Sequence, residues 1–435
     1  MFSITGEIKT LSLLPKNYKN LEDIDALMSR KSLKEKKLLV YLLGFMGFWV
    51  MGDNYAASPL LVEIAAEFSV DIGTAAMTVT AYMLPFGLFT IAFGPLADRF
   101  GKVRVITTAA LGTAIFSSLA AAAFNIYSLG ALRAVNGAFA AAILPVTISL
   151  IGDIFEEPKT KMNSIGTVMG MYFLGAAAAT AIGGGLSFIE SWRIVYLTYG
   201  IAELILVVLL YKFLTFEKGT VDKLSFRDAY GDAISHPELL RTVALLSLVG
   251  FAVFGSFTYL GEYLDEMTSY NILVVGLILT LFGLAAFIGG RRAGTLKKKI
   301  GTKILFIAGV LGLISLLVIS YWISIYFILP ALFGFGLAFV ILQVTIIMTA
   351  QQYLPEKRGT VMSLASFNMF IGGAVGIFIN RTILARLDYQ GLFMIAGFAI
   401  FTVGVLAFLI IGLFSKEGCS AMDCLVRLYR KFEME

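Results

Sequence analysis

The sequence predicts an all-α membrane protein with twelve transmembrane helices in two pseudo-symmetric six-helix bundles. Three observations support this prediction: an apolar composition, apolar runs long enough to cross a bilayer, and a charged turn that occurs twice. Of the 435 residues, 58% are hydrophobic and only 14% are charged, whereas soluble proteins average about 25% charged residues. The chain is therefore too apolar for a soluble protein and fits one that lies in a lipid bilayer.

The repeated turn indicates two related halves. Its first copy occupies residues 94–102 and contains Gly94, Asp98 and Gly101 between two long apolar runs. A second copy at residues 294–301 keeps both glycines and a leucine, but Lys298 stands at the position of Asp98. A turn that recurs half a chain later and joins apolar segments each time is typical of membrane proteins with an internal repeat.

Twelve apolar runs are long enough to span a membrane as helices. A spanning helix needs about 20 apolar residues, because every backbone N–H and C=O must be satisfied within the segment. In the first half we predict spans over residues 38–61, 73–93, 103–124, 127–151, 163–188 and 192–214. In the second half we predict spans over residues 241–264, 272–290, 303–321, 323–349, 359–383 and 389–414.

These spans divide the chain into five parts. We predict an arm over residues 1–36, a first bundle over 37–214, a linker over 215–240, a second bundle over 241–414 and a tail over 415–435. The linker is the most polar internal segment. Cys419 and Cys424 lie in the tail, where we expect reduced thiols and no disulfide.

The arm has two open interpretations. Leu21, Ile24, Leu27 and Met28 have helical spacing, which fits a short amphipathic helix at the membrane surface. A solvated tail fits the same residues.

The distribution of basic residues predicts the orientation. With the N-terminus inside, all but four of the 34 Lys and Arg residues fall on the inner side. The four exceptions are Arg133, Arg193, Arg381 and Arg386. Because short cytoplasmic loops are enriched in Lys and Arg, we predict a multi-pass protein of the cell (inner) membrane with both termini cytoplasmic. The basic residues belong to loops, and we expect no nucleic-acid partner.

Three charged residues lie well inside predicted spans, away from the span ends, where a charge is costly and often functional. Asp53 in span 1 lies about eight residues, or ~12 Å, from the outer end of its helix. Arg133 lies at a comparable depth in span 4, so the two can form a pair. Glu203 lies near the middle of span 6, where it is protonated, buried against a polar partner or facing a cavity. For Asp53, a static charge that only pairs two helices is the alternative interpretation.

The chain resembles the major facilitator superfamily and, within it, the twelve-helix drug:proton antiporter-like exporters. The turn with Gly94, Asp98, Arg99, Gly101 and Lys102 matches the family's motif between helices 2 and 3. In span 4 the match comprises Leu129, Arg133, Asn136, Gly137, Ala140 and Ala141, with Asn136 in place of the usual glutamine. In span 5 the antiporter motif is partial: Gly166, Gly175, Gly183 and Gly184 match, whereas Ala179 and Thr180 replace its Gly-Pro.

The resemblance implies roles for these residues. The turn would act as a conformational latch, in which Asp98 meets the N-terminus of helix 11 near Gly359 and Thr360 and favours the outward-open state. A carboxylate at a helix N-terminus is stabilised by the helix dipole, by about 0.3–1 kcal/mol when exposed. The alternative is a solvated turn that only sets topology. The small residues of span 5 would form a packing face.

The sequence thus predicts a secondary active transporter: a proton-coupled exporter, or antiporter, of small amphipathic compounds that works by alternating access. Asp53, Arg133 and Glu203 are the candidates for proton coupling. The candidates for substrate binding are Tyr82, Phe86, Tyr172, Tyr259, Gln343 and Asn368. The expected partners are a small-molecule substrate, protons and the lipid bilayer, and we expect a monomer.

Three other functions are alternatives to this one. A proton symporter or uniporter for a sugar or an organic acid would use the same fold. A receptor or lipid-handling protein would be expected to lack the charged turn and the buried charges, which are present here. An enzyme is disfavoured, because the single histidine, His236, lies in the linker and no nucleotide loop, metal cluster or nucleophile motif is found. We expect no cofactor and no metal.

Overall fold

The computed structural model describes residues 33–155, 157–189, 191–214, 226–322 and 324–413. The amphipathic helix considered for the arm and the two cysteines of the tail lie outside the described residues. Residues 215–225 of the predicted linker also lie outside the described residues. The ordered elements within the described ranges are all helical.

The first half contains eight described helices: α1 (Leu33–Tyr55), α2 (Ala57–Phe68), α3 (Ile72–Phe100), α4 (Lys102–Ala120), α5 (Ile126–Ala140), α6 (Ile143–Ile154), α7 (Pro158–Ile189) and α8 (Trp192–Phe213). A short helix, α9 (Phe226–Ile234), follows in the predicted linker. Sequence patterns did not predict α9, since it is short and rich in charged residues.

The second half contains α10 (Pro237–Phe257), α11 (Leu260–Thr268), α12 (Ile272–Ile300), α13 (Lys303–Tyr321), α14 (Ile325–Tyr353) and α15 (Arg358–Ala407). A 3-10 turn, Pro355–Lys357, precedes α15 and a π-helical turn, Phe408–Leu413, follows it. The backbone of α15 leaves helical geometry at Asp388, where φ is +60°. This residue separates two membrane-length helices, which correspond to predicted spans 11 and 12.

The helices account for the twelve predicted spans. Ten stretches of the described chain are long and apolar enough to cross a bilayer. One of them, Arg358–Gly412, has 55 residues and makes two crossings because it turns at Asp388. The pair α1–α2 supplies the remaining span. The fold is therefore the predicted all-α architecture of two six-helix bundles.

Spans 1, 4 and 7 are each interrupted, at residue 56, at residues 141–142 and at residues 258–259, whereas residues 38–61, 127–151 and 241–264 were each predicted as one helix. Prolines explain two breaks, because a proline ring clashes with the carbonyl four residues earlier. Pro59 lies four residues after Tyr55, where α1 ends, and Pro145 lies four residues after Ala141, just past the end of α5. In span 7 the hydroxyl of Thr258 donates to the Phe254 carbonyl (2.8 Å) at the break, a bond that bends helices.

The two halves repeat one another in local detail. Helices α3 and α12 each have 29 residues, and α4 and α13 each have 19. The caps of α3 and α12 also correspond, since Asp71 accepts from the Thr74 N–H (2.9 Å) and Asn271 from the Val274 N–H (3.0 Å). Gly101 and Gly301 both have positive φ, 93° and 69°. A glycine is favoured in that geometry, which explains why both copies of the turn retain it.

The bundles meet along three pairs of helices: α3 with α15, α7 with α12, and α2 with α11. The turns α3–α4 and α12–α13 lie on the same side of the molecule, which we call the basic face because it holds Arg99, Lys102, Lys297 and Lys303. The other side is called the opposite face. Between the bundles lies the space that contains the candidate site.

Candidate functional site

A central cavity of about 790 Å³ lies between the bundles and opens at the basic face. Its mouth is lined by Asp153, Lys161, Gln351 and Arg358. Its deeper lining is mostly aromatic and sulfur-containing, and includes Tyr55, Phe86, Met169, Tyr172, Phe254, Phe339, Gln343, Met369 and Phe370. The charged lining residues therefore lie at the mouth, and the interior of the cavity is apolar with a few neutral polar groups.

The opposite face is closed by contacts between the bundles. The Ser58 hydroxyl donates to the carbonyl of Phe257 (2.9 Å), and the hydroxyls of Thr180 and Thr280 lie 3.2 Å apart. Nearer the surface, Arg381 donates to the Thr74 hydroxyl (2.7 Å) and to Asp71 (3.3 Å). The cavity is thus accessible from one face only.

Asp71 is held in its ionised form at this closure. The hydrogen bond from the Thr74 hydroxyl lowers the pKa of Asp71, helped by the Thr74 backbone N–H and the Arg381 charge, while partial burial opposes them. Arg381 of the second bundle can pair with the ionised carboxylate of Asp71, which belongs to the first bundle.

Beside the cavity, inside the first bundle, lies a buried ion pair. Arg133 donates from Nη1 to Asp53 Oδ1 (2.7 Å) and from Nη2 to the Asp53 carbonyl (3.3 Å). The other carboxylate oxygen accepts from Asn136 Nδ2 (2.6 Å). The side chains of Arg133 and Asp53 are 0% and 1% exposed. The contact between Asp53 and Arg133 that their depths allow is therefore present.

Aromatic rings complete the surroundings of Arg133. Its guanidinium carbon lies 4.4 Å from the centre of the Tyr82 ring and 4.9 Å from that of Tyr196, within the range of cation–π attraction. The close approach depends on Gly137, because a Cβ at this position would lie 2.1 Å from the Tyr82 carbonyl oxygen. A glycine one turn after Arg133 thus lets α5 contact the backbone of α3.

Glu203 on α8 is the third predicted charge, and it is fully buried. Neither of its carboxyl oxygens has a hydrogen-bond partner in the described protein. The neighbouring Thr113 hydroxyl donates to the Ala110 carbonyl (2.8 Å), so its single proton is not available to Glu203. An ionised carboxylate without partners is very costly to bury. Glu203 is therefore neutral in this state, and it does not line the central cavity.

The predicted substrate residues divide into two groups. Phe86, Tyr172 and Gln343 line the cavity, and their role in substrate binding stays a prediction. Tyr82, Tyr259 and Asn368 do not line it: Tyr82 lies against Arg133, the Tyr259 hydroxyl donates to the Ile377 carbonyl (3.1 Å), and the Asn368 amide donates to the Leu364 carbonyl (2.8 Å). Their contacts are internal ones.

Most of the residues that line the cavity were not identified from the sequence. Met369 and Phe370 on α15 illustrate this: Gln343 donates to the Met369 sulfur (3.1 Å), and Phe370 stacks on Phe86 with ring centres 3.9 Å apart. With 36 Phe and 16 Met spread along the chain, no spacing distinguishes those that face the cavity from those that face lipid.

The charged turn lies at the basic face. Lys102 forms an ion pair with Asp153 at the end of α6, the Arg99 guanidinium lies 5.1 Å from the Phe100 ring centre, and the Asp98 side chain is exposed. Helix α9 lies between α3 and the first turn of α15. The Tyr230 hydroxyl donates to the Ile91 carbonyl (2.8 Å), and the Thr360 hydroxyl donates to the Ala229 carbonyl (3.4 Å). Burial raises the pKa of Tyr230 to about 12, so this donor is retained at physiological pH.

Three of the four glycines named on α7 lie close to other helices, and their role as an antiporter motif stays a prediction. A Cβ on Gly175 would lie 2.1 Å from the Phe48 carbonyl oxygen of α1, one on Gly183 would lie 3.1 Å from that of Ala56, and one on Gly184 would lie 2.4 Å from that of Ile272. Gly166 is an exception, because no atom of the described residues lies within 4 Å of a Cβ built there. It lies next to Ile165 at the cavity mouth, where the bundles are apart.

No group of three or more His, Cys, Asp or Glu side chains that could hold a metal occurs in the part of the chain that the structure describes. The fold and the site, with twelve spans, two repeated bundles and a cavity open to one face, define a membrane transporter. The sequence profile of the Major Facilitator Superfamily matches residues 43–377. The chain belongs to this family, whose members are transporters and not enzymes.

The relatives and solved structures that are similar to this chain include several transporters. The chain is 25% identical over 345 residues to an uncharacterized MFS-type transporter, YceJ, of Bacillus subtilis, covering 77% of this chain and 86% of the relative. It is 23% identical over 397 residues to the puromycin resistance protein pur8 of Streptomyces alboniger, covering 77% and 79%. A solved structure, a bacterial homolog of the human lysosomal transporter Spinster, matches with a TM-score of 0.69 at 15% identity, covering 87% and 96%.

The buried pair makes a prediction about stability. Replacing Asp53 by Asn leaves Arg133 as an uncompensated buried cation, and we expect a loss of about 3–5 kcal/mol, as found when one partner of a buried pair is removed. Removing both charges in Asp53→Asn/Arg133→Gln should recover part of this loss. The apparent midpoint of thermal unfolding in detergent measures the effect. If the losses of the two single variants simply add in the double variant, the pair is not energetically coupled.

Proposed function

We propose that the protein is a proton-coupled exporter, or antiporter, of small amphipathic compounds that works by alternating access in the cell membrane. In this proposal the basic face is cytoplasmic, both termini lie in the cytoplasm, and the described state is inward-open. The observation that supports proton coupling most directly is the buried pair of Asp53 and Arg133 with neutral Glu203 beside it.

The coupling follows from the charge that Asp53 can gain or lose. In the inward-open state Asp53 is ionised and pairs with Arg133 (2.7 Å). A proton that reaches Asp53 from the external side neutralises it, and the pair then loses its attraction. The two protonation states of Asp53 therefore favour different positions of α1 relative to α5. A ligand or a proton shifts such an equilibrium between two conformations only if it binds one conformation more tightly than the other.

The pair can act on the cavity without lining it. Met51 and Tyr55 flank Asp53 on the last turn of α1, and both line the central cavity. A movement of this turn, next to the break before Pro59, changes the cavity wall. Substrate and proton thus compete through one element of the fold.

The residues that line the cavity support small amphipathic compounds as the class of substrate. Aromatic rings and methionine sulfurs form most of the deep wall, which suits apolar and aromatic compounds. Gln343 and Ser366 offer neutral hydrogen bonds, and the charged side chains lie at the mouth. This lining favours small amphipathic compounds over polyanions such as sugar phosphates. The name of the relative pur8, a resistance protein, supports the same class.

A proton symporter or uniporter for a sugar or an organic acid is the second candidate. The observation that favours it is on α7, where Ala179 and Thr180 stand in place of the Gly-Pro of the antiporter motif. The direction of substrate movement under a pH gradient distinguishes the two candidates.

The charged turn is proposed to be a latch for the outward-open state. In the inward-open state α9 lies between α3 and the first turn of α15, through Tyr230 and Thr360. When the basic face closes, the exposed Asp98 carboxylate can approach the N-terminus of α15 at Gly359, where a Cβ would meet no atom of the described residues within 4 Å. The helix dipole then favours the carboxylate.

Flux in inverted membrane vesicles tests the function. With an acidic lumen, protons leave the vesicle, and an antiporter should accumulate puromycin or a lipophilic dye, whereas a symporter should release it. We expect Asp53→Asn to reduce accumulation to the level of vesicles without the protein. Glu238→Gln, which changes an exposed carboxylate of the first turn of α10, is the matched control and should transport normally. Full gradient-driven accumulation by Asp53→Asn would show that the assignment is wrong.

Cysteine labelling tests the latch. The chain has only two cysteines, so Cys419→Ser/Cys424→Ser provides a background in which Ser149→Cys, in the cavity wall, is the single target. We expect Asp98→Asn to increase labelling of this cysteine by a maleimide added at the basic face, since the outward-open state loses about 0.3–1 kcal/mol. The control is Lys298→Gln in the second copy of the turn. Equal labelling in the Asp98→Asn variant and the parent would contradict the latch.

A further inference from the structure

Several buried polar atoms around Glu203 have no hydrogen-bond partner in the described protein. They include the hydroxyls of Tyr82, Tyr172 and Tyr199 as well as both oxygens of Glu203. These side chains come from α3, α7 and α8 and face one region inside the first bundle. A buried polar group left unpaired costs about 1–3 kcal/mol, so a cluster of this kind requires partners. Buried water, which makes about three hydrogen bonds per molecule, supplies them elsewhere in proteins.

The electrostatic contacts of these hydroxyls show which carboxyl groups lie near them. Asp53 and Glu203 both act on Tyr82 and on Tyr199. Tyr172 differs, because Glu203 is the charged residue that acts on it. All three tyrosines are therefore near Glu203, and Tyr82 and Tyr199 are also near Asp53.

Tyr172 also borders the central cavity. It lines the cavity wall and is only 4% exposed. Its ring lies against α1 at Gly47, where a Cβ would be 1.8 Å from a ring carbon. The absence of a side chain at Gly47 thus lets the ring pack against α1 beside the cavity.

We propose that these groups enclose a hydrated chamber through which protons pass between the central cavity and Asp53, with Tyr172 controlling entry. The inference rests on the proposed function, and it assigns to Tyr172 a role in proton movement in addition to its place in the cavity wall. Glu203 holds the proton inside the chamber.

Release into the cavity proceeds in a balanced exchange. The Glu203 carboxyl gives its proton to a chamber water, that water gives a proton to the Tyr172 oxygen, and Tyr172, once its buried hydroxyl reaches the cavity, gives its own proton to a cavity water. One proton has then moved, Tyr172 is neutral again, and Glu203 is an anion. The groups that face Glu203 from the surrounding helices are Asp53, Tyr82, Thr113, Arg133, Tyr172 and Tyr199. Arg133 is the cation among them and stabilises the anion.

The test is hydrogen–deuterium exchange of the Glu203 proton, followed by infrared spectroscopy. The full chain in lipid vesicles is transferred from H₂O to D₂O, and the carbonyl stretching band of the protonated carboxyl is identified by its loss in Glu203→Gln. We expect Tyr172→Phe, which keeps the ring on Gly47, to slow the exchange of this band about tenfold, the effect of losing one hydrogen bond from the path.

Tyr55→Phe is the matched control, because Tyr55 lines the same cavity and has no charged group acting on it. Its exchange should equal that of the parent. The proposal is overturned if Tyr172→Phe exchanges as fast as the parent, if Tyr55→Phe is slowed equally, or if no carboxyl band disappears in Glu203→Gln. The measurement needs no substrate, so the failure of gradient-driven flux would reject the proposed function without affecting this result.

Discussion

The arrangement of the first bundle depends on the burial of one cation, Arg133, in a membrane-spanning helix. A guanidinium without water must be compensated, and here the compensation comes from Asp53, through its carboxylate and its carbonyl, and from the rings of Tyr82 and Tyr196. Together with Arg133, these groups belong to four different helices. The positions of α1, α3, α5 and α8 are therefore fixed relative to one another by a single charge.

The same constraint explains local features that would otherwise weaken the bundle. Gly137 allows the contact of α5 with the backbone of α3 at Tyr82. The break before Pro59 follows directly after the turn that holds Asp53 and Asn54, so this part of α1 can move separately from α2. Because Met51 and Tyr55 of that turn face the central cavity, the proposed function connects the charge state of the pair with the shape of the cavity.

The sequence predicted the fold well, because span length and the repeated turn depend on local composition and on chain symmetry. It also predicted that Asp53 and Arg133 can pair, since depth in the membrane follows from counting residues. It did not predict which side chains line the cavity. In a chain that is apolar on every helix face, lipid-facing and cavity-facing positions have the same composition, so the rotation of each helix is set by packing. Tyr82 shows the consequence: it was expected to bind substrate, and it lies on Arg133. The helix breaks at Pro59 and Pro145 were readable from the positions of the prolines. Helix α9 has an amphipathic pattern over its nine residues, which is too short to appear among membrane-length apolar runs.

The central claim is that the protonation of Asp53 and Glu203 decides which face of the molecule opens. Spin labels on cysteines at Arg104 and Lys303, both exposed residues of the basic face, report the separation of the bundles there by pulsed electron resonance. In a background without the two native cysteines, the distance distribution should shift with pH between an open and a closed population. In Asp53→Asn/Glu203→Gln it should be independent of pH. A shift of the same size and midpoint in that double variant would contradict the claim.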